Sequence, residues 1–162
     1  MAISGSKTKK EVYVYLKSLA IAVLSTVSSE GNPHAAVIYF ISDEDLNFYF
    51  LTKSDTRKAK NLTSHSEAAL TIVDPNSPRT IQVTGPVSEI EEPQMYINIM
   101  DKISEENAKG NNFFWPPPLS KLDSDGDLVL YKLTPNWLRY ADFTESTKEN
   151  IFYNIIPSDS LE

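Results

Sequence analysis

Four side chains in one short stretch carry most of the chemistry this 162-residue chain can offer. Thr52, Thr56, Arg57 and Lys58 bring two hydroxyls and two cations together. They lie where an alternating aromatic run, Phe48, Tyr49, Phe50 and Leu51, gives way to helix-type spacing at Ala59 and Leu62. Ser54 or Asp55 is expected to cap that helix, because a short side-chain oxygen there accepts from an orphan amide of the first turn. Arg57, Lys58 and Lys60 then load positive charge onto a helix end that is already partially positive, costing about 0.3–1 kcal/mol per exposed charge. An anion held there reverses the sign, since amides, hydroxyls and cations converge on it. The stretch therefore reads as a strand-turn-helix phosphate cradle. The competing reading is a solvated helix start that happens to be basic.

Other chemistry is thin. The chain has no cysteine, which removes disulfides, thiolate metal sites and a cysteine nucleophile. His34 and His65 lack any metal-ligand spacing, and no G-x-S-x-G elbow is present. Five glycines, scattered, make neither a dinucleotide fingerprint nor a Walker loop. Asp43-Glu44-Asp45 and Glu91-Glu92 fall at turns or helix starts, where solvated charge is the ordinary explanation. Trp115, in the run Phe113-Phe114-Trp115 before three prolines, has a ring that can stack on a planar ligand. The same run reads equally well as a plug in a dimer interface. No catalytic residue is assigned.

Composition bounds the rest. A chain of this length fits one domain, and 41% apolar with 23% charged residues is ordinary for a globular protein. A net charge of −7 argues against nucleic acid and against anionic membrane surfaces. No apolar run approaches the ~18 residues of a membrane span, and residues 1–10 have no apolar segment behind their charges. A cytoplasmic location is the expectation.

The elements that must position the cradle follow from periodicity. A helix is expected over residues 6–19 and strands over 20–28, 34–41, 46–52, 67–73 and 79–90. The strand at 34–41 is apolar on both faces, which places it inside a barrel wall covered by a helix or a second subunit. Gly85-Pro86 interrupts the strand at 79–90, as a bulge or barrel corner would. A helix at 93–106 puts Met95, Ile99 and Ile103 on one face. A long connection at 107–125 follows, then strands at 126–133 and 137–143. About seven short strands with two or three helices predict a small, mostly antiparallel β-barrel in one domain. Its core spans about residues 8–145, with a lead-in at 1–5 and a tail at 146–162, polar but for one apolar patch (Ile151, Phe152, Tyr153, Ile155 and Ile156), that packs on a neighbour or frays.

In this order the motifs resemble the pyridoxamine 5′-phosphate oxidase-like superfamily, the FMN-binding split β-barrel. Gly31-x-Pro33, the hairpin, the aromatic strand ending in Thr52 and the Thr56-Arg57-Lys58-Ala59 run carry the resemblance. Arg79-x-x-x-Val83-x-Gly85 and Leu133-Thr-Pro-x-Trp-x-x-Tyr140 continue it. The chain is more similar to the small stress-protein and other flavin-binding branches than to the oxidase. The resemblance implies a split antiparallel β-barrel with flanking helices, assembled as a homodimer with FMN at the subunit interface. It implies that Thr52, Thr56, Arg57 and Lys58 hold the phosphate and that Leu51 beside them contacts the cofactor. It also implies that Ala36, Val37 and Ile38 run along the ring and ribityl chain, that Thr80 reaches the flavin, and that a small molecule gives or takes electrons.

Departures narrow the reading. The oxidase motif Arg-x-x-Leu-Leu-Lys would place Arg at Ala36 and Lys at Ile41, and both charges are missing. The helix that grips substrate phosphate in the oxidase carries Asn98, Lys102 and Glu106 here. The expectation is an FMN-dependent oxidoreductase that is not a true pyridoxamine phosphate oxidase. The alternative is a non-catalytic module binding flavin, deazaflavin or haem.

Overall fold

The computed structural model describes residues 7–109, 127–144 and 151–157. Nine strands and three helices lie among them, in the order α1 (Lys9–Leu16), β1 (Ile21–Val27), β2 (Pro33–Tyr39), β3 (Ile41–Ser42), β4 (Phe48–Lys53), α2 (Arg57–Ser64), β5 (Glu67–Val73), β6 (Arg79–Glu89), α3 (Pro93–Ala108), β7 (Leu128–Leu133), β8 (Trp137–Asp142) and β9 (Phe152–Ile156). All pairings are antiparallel. The main path runs β2-β1-β5-β6-β7-β4-β3, with β8 and then β9 branching from β6. The predicted split antiparallel barrel with flanking helices is what the chain forms. Among the described residues no helix is long and apolar enough to cross a membrane.

Alternation builds the core. In β1 every second residue is buried, and Ala22 and Leu24 join Leu70, Ile72, Ile81 and Val83 inside the barrel. α1 is started by a reciprocal cap: the Thr8 amide donates to the Glu11 carboxylate at 2.7 Å, and the Glu11 amide donates to Thr8 Oγ1 at 3.2 Å. Those Thr8 bonds hold the Glu11 carboxyl below its ordinary range.

Within the single chain the strand covered on both faces is β4. Phe48 and Phe50 point into the barrel, while Tyr49 and Leu51 lie in a second cluster under Ile99 and Ile103 of α3. β2 is an edge strand in which Ile38 and Tyr39 are buried but Pro33–Val37 are exposed or half-buried. Apolar residue types alone did not separate the two cases, because small Ala35 and Ala36 tolerate either surroundings.

The corner at Gly85-Pro86 is present. β6 pairs with β8 from Arg79 to Thr84 and with β7 from Val87 to Glu89, so the strand changes partners across those two residues. The polar tail is corrected: Phe152–Ile156 forms an edge strand on β8, with Tyr153, Ile155 and Ile156 packed against the core. Only five residues long and preceded by a polar run, it lacks the turn signals that mark the other strands.

One ion pair closes the β6–β8 ladder. Arg79 Nε donates to Asp142 Oδ2 at 3.0 Å, and Thr144 donates to Asp142 through its amide and hydroxyl. Burial pushes the Asp142 carboxyl up, but Thr144 and Arg79 together hold it at about 2, against an ordinary 3.8. The stabilising contribution is therefore whole above the ordinary value and is lost as pH falls toward 2. Arg79→Gln should raise the Asp142 pKa and shift the acid limb of the stability curve to higher pH. An NMR carboxyl titration that leaves Asp142 unmoved in the variant would assign its stabilisation to Thr144 and the Tyr140 hydroxyl, which donates to Asp142 Oδ2 at 3.3 Å.

Candidate functional site

The turn after β4 is built one residue later than the sequence predicts. Lys53, Ser54 and Asp55 are used in the turn, closed by the Thr56 amide donating to the Lys53 carbonyl at 3.2 Å, and Thr56 rather than Ser54 or Asp55 is the N-cap. Thr56 Oγ1 donates to the Lys53 carbonyl at 2.8 Å and accepts from the Ala59 amide at 3.4 Å. Thr52 Oγ1 lies 3.2 Å from it. Thr52 is buried, on the barrel-facing side of β4 that Phe48 and Phe50 share. Both hydroxyls are thus already hydrogen-bonded within the turn. The donors left over are the Arg57 and Lys58 amides, which have no intrahelical acceptor at the start of an eight-residue helix.

Lys58 is the electrostatic anomaly. Its side chain is half-buried, and desolvation lowers its pKa. No carboxylate offsets this: among the described residues the ion pairs are Arg79–Asp142 and Lys109–Glu106, and neither touches the turn. Arg57 beside it is exposed. Neither cation faces a first-turn acid, since α2 has none. The helix itself is held by Ala59 and Leu62 in the barrel core and by Asn61 Nδ2 donating to Thr26 Oγ1 at 2.9 Å, both residues buried. That anchor escaped the sequence reading, because nothing in the pattern joins two polar residues on separate elements. His34, directly opposite Thr26 in β2, carries a buried Nδ1 with no hydrogen-bond partner among the described residues.

The remaining candidate residues divide by face. Thr52, Thr56, Arg57 and Lys58 come together at the β4–α2 turn, and Leu51 lies on the α3 side of the same strand. In β2, Ala36 and Ile38 sit opposite Leu24 and Ala22 on the barrel side, whereas Val37 sits opposite Val23 on the outer side. A ligand running along β2 can meet side chains of only one set and would meet the other through backbone. Thr80 is on the outer face of β6, beside Ala141 of β8 and Val73 of β5. In the sheet order it is three strands from β2, or about 14 Å at ordinary strand spacing. One protomer therefore does not bring Thr80 to the same spot as Ala36. Trp115 lies outside the described residues.

The outer face also carries Arg139, whose guanidinium lies 5.0 Å from the Trp137 ring centre and 5.2 Å from that of Phe152. Its Nε is buried and unpartnered among the described residues. Trp137 and Tyr140 entered the sequence reading as spacing; a stacked Arg between two rings depends on β9, which the sequence did not disclose.

Comparisons with known proteins agree on one architecture. A family model described as pyridoxamine 5′-phosphate oxidase matches residues 8–142. A pyridoxine/pyridoxamine 5′-phosphate oxidase of Pseudomonas syringae pv. tomato is 27% identical over 121 residues, which cover 74% of this chain and 54% of that enzyme. The chain thus spans about half the length of the curated relatives it matches. Among solved structures, General Stress Protein 26 from Bacillus anthracis superposes with a TM-score of 0.57 at 21% identity, covering 82% of this chain and 92% of that one. A pyridoxamine 5′-phosphate oxidase-related, FMN-binding protein from Nostoc punctiforme gives 0.54 at 16%, covering 82% and 81%. A heme-binding protein from Mycobacterium smegmatis gives 0.62 at 15%, covering 86% and 55%. At these identities the structures share the fold and no more. With the family model spanning residues 8–142, from the lead into α1 to the end of β8, the chain belongs to the pyridoxamine 5′-phosphate oxidase family of split barrels.

Proposed function

We propose that this chain binds FMN with its phosphate at the β4–α2 turn, and that it works as a homodimeric flavin-dependent oxidoreductase on a small molecule other than pyridoxamine phosphate. The observation that carries the reading is Lys58, a desolvated cation with no carboxylate partner among the described residues, beside two orphan amides at a positive helix end. A phosphate supplies the missing charge and accepts from the Arg57 and Lys58 amides and from both side chains. Bound FMN would supply the electron transfer. The protein's part is to hold the headgroup and to present β2 and the outer face to the ring.

Support for a second copy comes from exposed Ile21, Val23, Val27 and Val73 on the outer face, an apolar surface that a partner would cover. Ala36 and Ile41, where the oxidase motif has Arg and Lys, support a substrate without the oxidase's polar demands. They equally support a second reading, a flavin-binding module without turnover. An absorbance spectrum of protein purified without added cofactor tests the main reading. Flavin bands are expected, and a Soret band or a colourless protein that ignores FMN would refute it. NAD(P)H oxidation no faster than with free FMN would leave the module.

A further inference from the structure

A groove of about 490 Å³ opens between the start of α3 and the start of β7. It borders the β4–α2 turn: the Ser54 amide donates to the Asp127 carbonyl at 3.0 Å, and Leu128 and Val129 lie opposite Lys53 and Thr52. The volume is that of a small-molecule pocket. Its floor is apolar and includes Tyr96, Leu128 and Ile97, the last left 50% exposed. Four carboxylates rim it: Glu89, Glu91, Glu92 and Asp127.

Glu91 and Glu92 stand at the N-terminus of α3, where negative charge suits the helix dipole. That explanation does not extend to Glu89, at the end of β6, or to Asp127, which leads into β7. None of the four takes part in either ion pair of the described residues. Nor do they gather into a metal-holding group, since no cluster of three or more such ligands occurs among the described residues. Negative charge spread around an apolar floor, rather than focused at a point, matches a bulky cation with an apolar body. The Tyr96 ring adds a surface that attracts such a cation.

We propose that this groove binds an organic cation, an ammonium carried on an apolar or aromatic body, at a site that adjoins the phosphate turn through β7. Matched probes test it: 4-phenylbutylammonium and 4-phenylbutyrate, titrated into the full chain and followed by amide chemical shifts. The ammonium should bind at least tenfold more tightly than the carboxylate, moving the amides of Ile90, Tyr96, Ile97 and Leu128. The preference should collapse in a Glu89→Gln/Glu91→Gln/Glu92→Gln variant, and Ile97→Asn should weaken both probes. Equal affinities, shifts centred elsewhere, or binding that emerges only after Phe113, Phe114 and Trp115 are changed to serine would overturn the proposal. The titration is run with and without FMN, so its failure is distinct from failure of the flavin reading, which the absorbance spectrum reports.

Discussion

Arg57→Ala combined with Lys58→Ala should strip FMN from the protein while leaving the ligand-free fold as stable as before, or slightly more so. The two halves of that result come from the same geometry. With the ligand absent, Lys58 is desolvated with no carboxylate partner among the described residues, and both cations oppose the dipole of α2. Removing them relieves about 0.3–1 kcal/mol each at the helix end, and alanine is the better helix former. With the phosphate bound, each side chain contributes a charge-assisted hydrogen bond worth about 1.5–3 kcal/mol. Losing both should weaken binding by roughly two to four orders of magnitude. The pH dependence has a definite sign. A lysine whose pKa is lowered by folding destabilises the folded state while protonated, so ligand-free stability should rise with pH toward 10.5, the ordinary value. Bound phosphate should flatten that rise. Denaturation midpoints with and without FMN, or with inorganic phosphate as the minimal probe, read both halves. Lys60→Ala, exposed on the same helix, is the control and should change neither much. A double variant that loses ligand-free stability yet keeps its FMN affinity would make these cations structural and end the cradle assignment.

The turn illustrates which features can be read without coordinates. Residue types at positions 52–58 disclosed a basic helix start, because charge at a helix end has the same cost in any fold. They did not disclose which oxygen caps the helix. Ser54, Asp55 and Thr56 are all competent caps, and the choice depends on how many residues the turn consumes in leaving β4. Burial was harder still. The strand at 34–41 reads as apolar on two faces, yet within the chain it is β4 that is sandwiched between the barrel interior and α3. The position of an edge strand is set by topology, and topology depends on long-range pairing. The same is true of β9, whose single neighbour β8 fixes it from outside. Features set by one or two adjacent residues, such as the Gly85-Pro86 corner, were legible. Those set by contact between distant elements, such as Asn61 with Thr26 or Arg139 with Phe152, were not.

The corner makes the second large prediction. Gly85→Ala should destabilise the protein by about 3–5 kcal/mol, although the backbone of Gly85 is not in the left-handed region. The reason is space. A methyl there would overlap the Thr134 carbonyl oxygen and press against Pro135 Cα and the Thr134 carbonyl carbon, each 3.0 Å away. Those are backbone atoms, unable to swing aside as a side chain can. They belong to the β7–β8 connection, which the corner holds by two bonds: the Thr134 amide to the Pro86 carbonyl and the Asn136 amide to the Thr84 carbonyl, both 3.0 Å. Moving the connection away strains or breaks both, adding about 1 kcal/mol each to an overpacking cost of about 1–3 kcal/mol. Against a total stability of about 5–15 kcal/mol the loss is severe, and at about 2–4 °C per kcal/mol it should lower Tm by roughly 6–20 °C. Gly31→Ala separates space from conformation. Gly31 has φ +84° with nothing within 4 Å of an added Cβ, so its cost should be only the left-handed penalty of about 1–2 kcal/mol. If Gly85→Ala proves as mild as Gly31→Ala in chemical denaturation, the β7–β8 connection is free to move. The partner change in β6 would then owe nothing to the missing side chain.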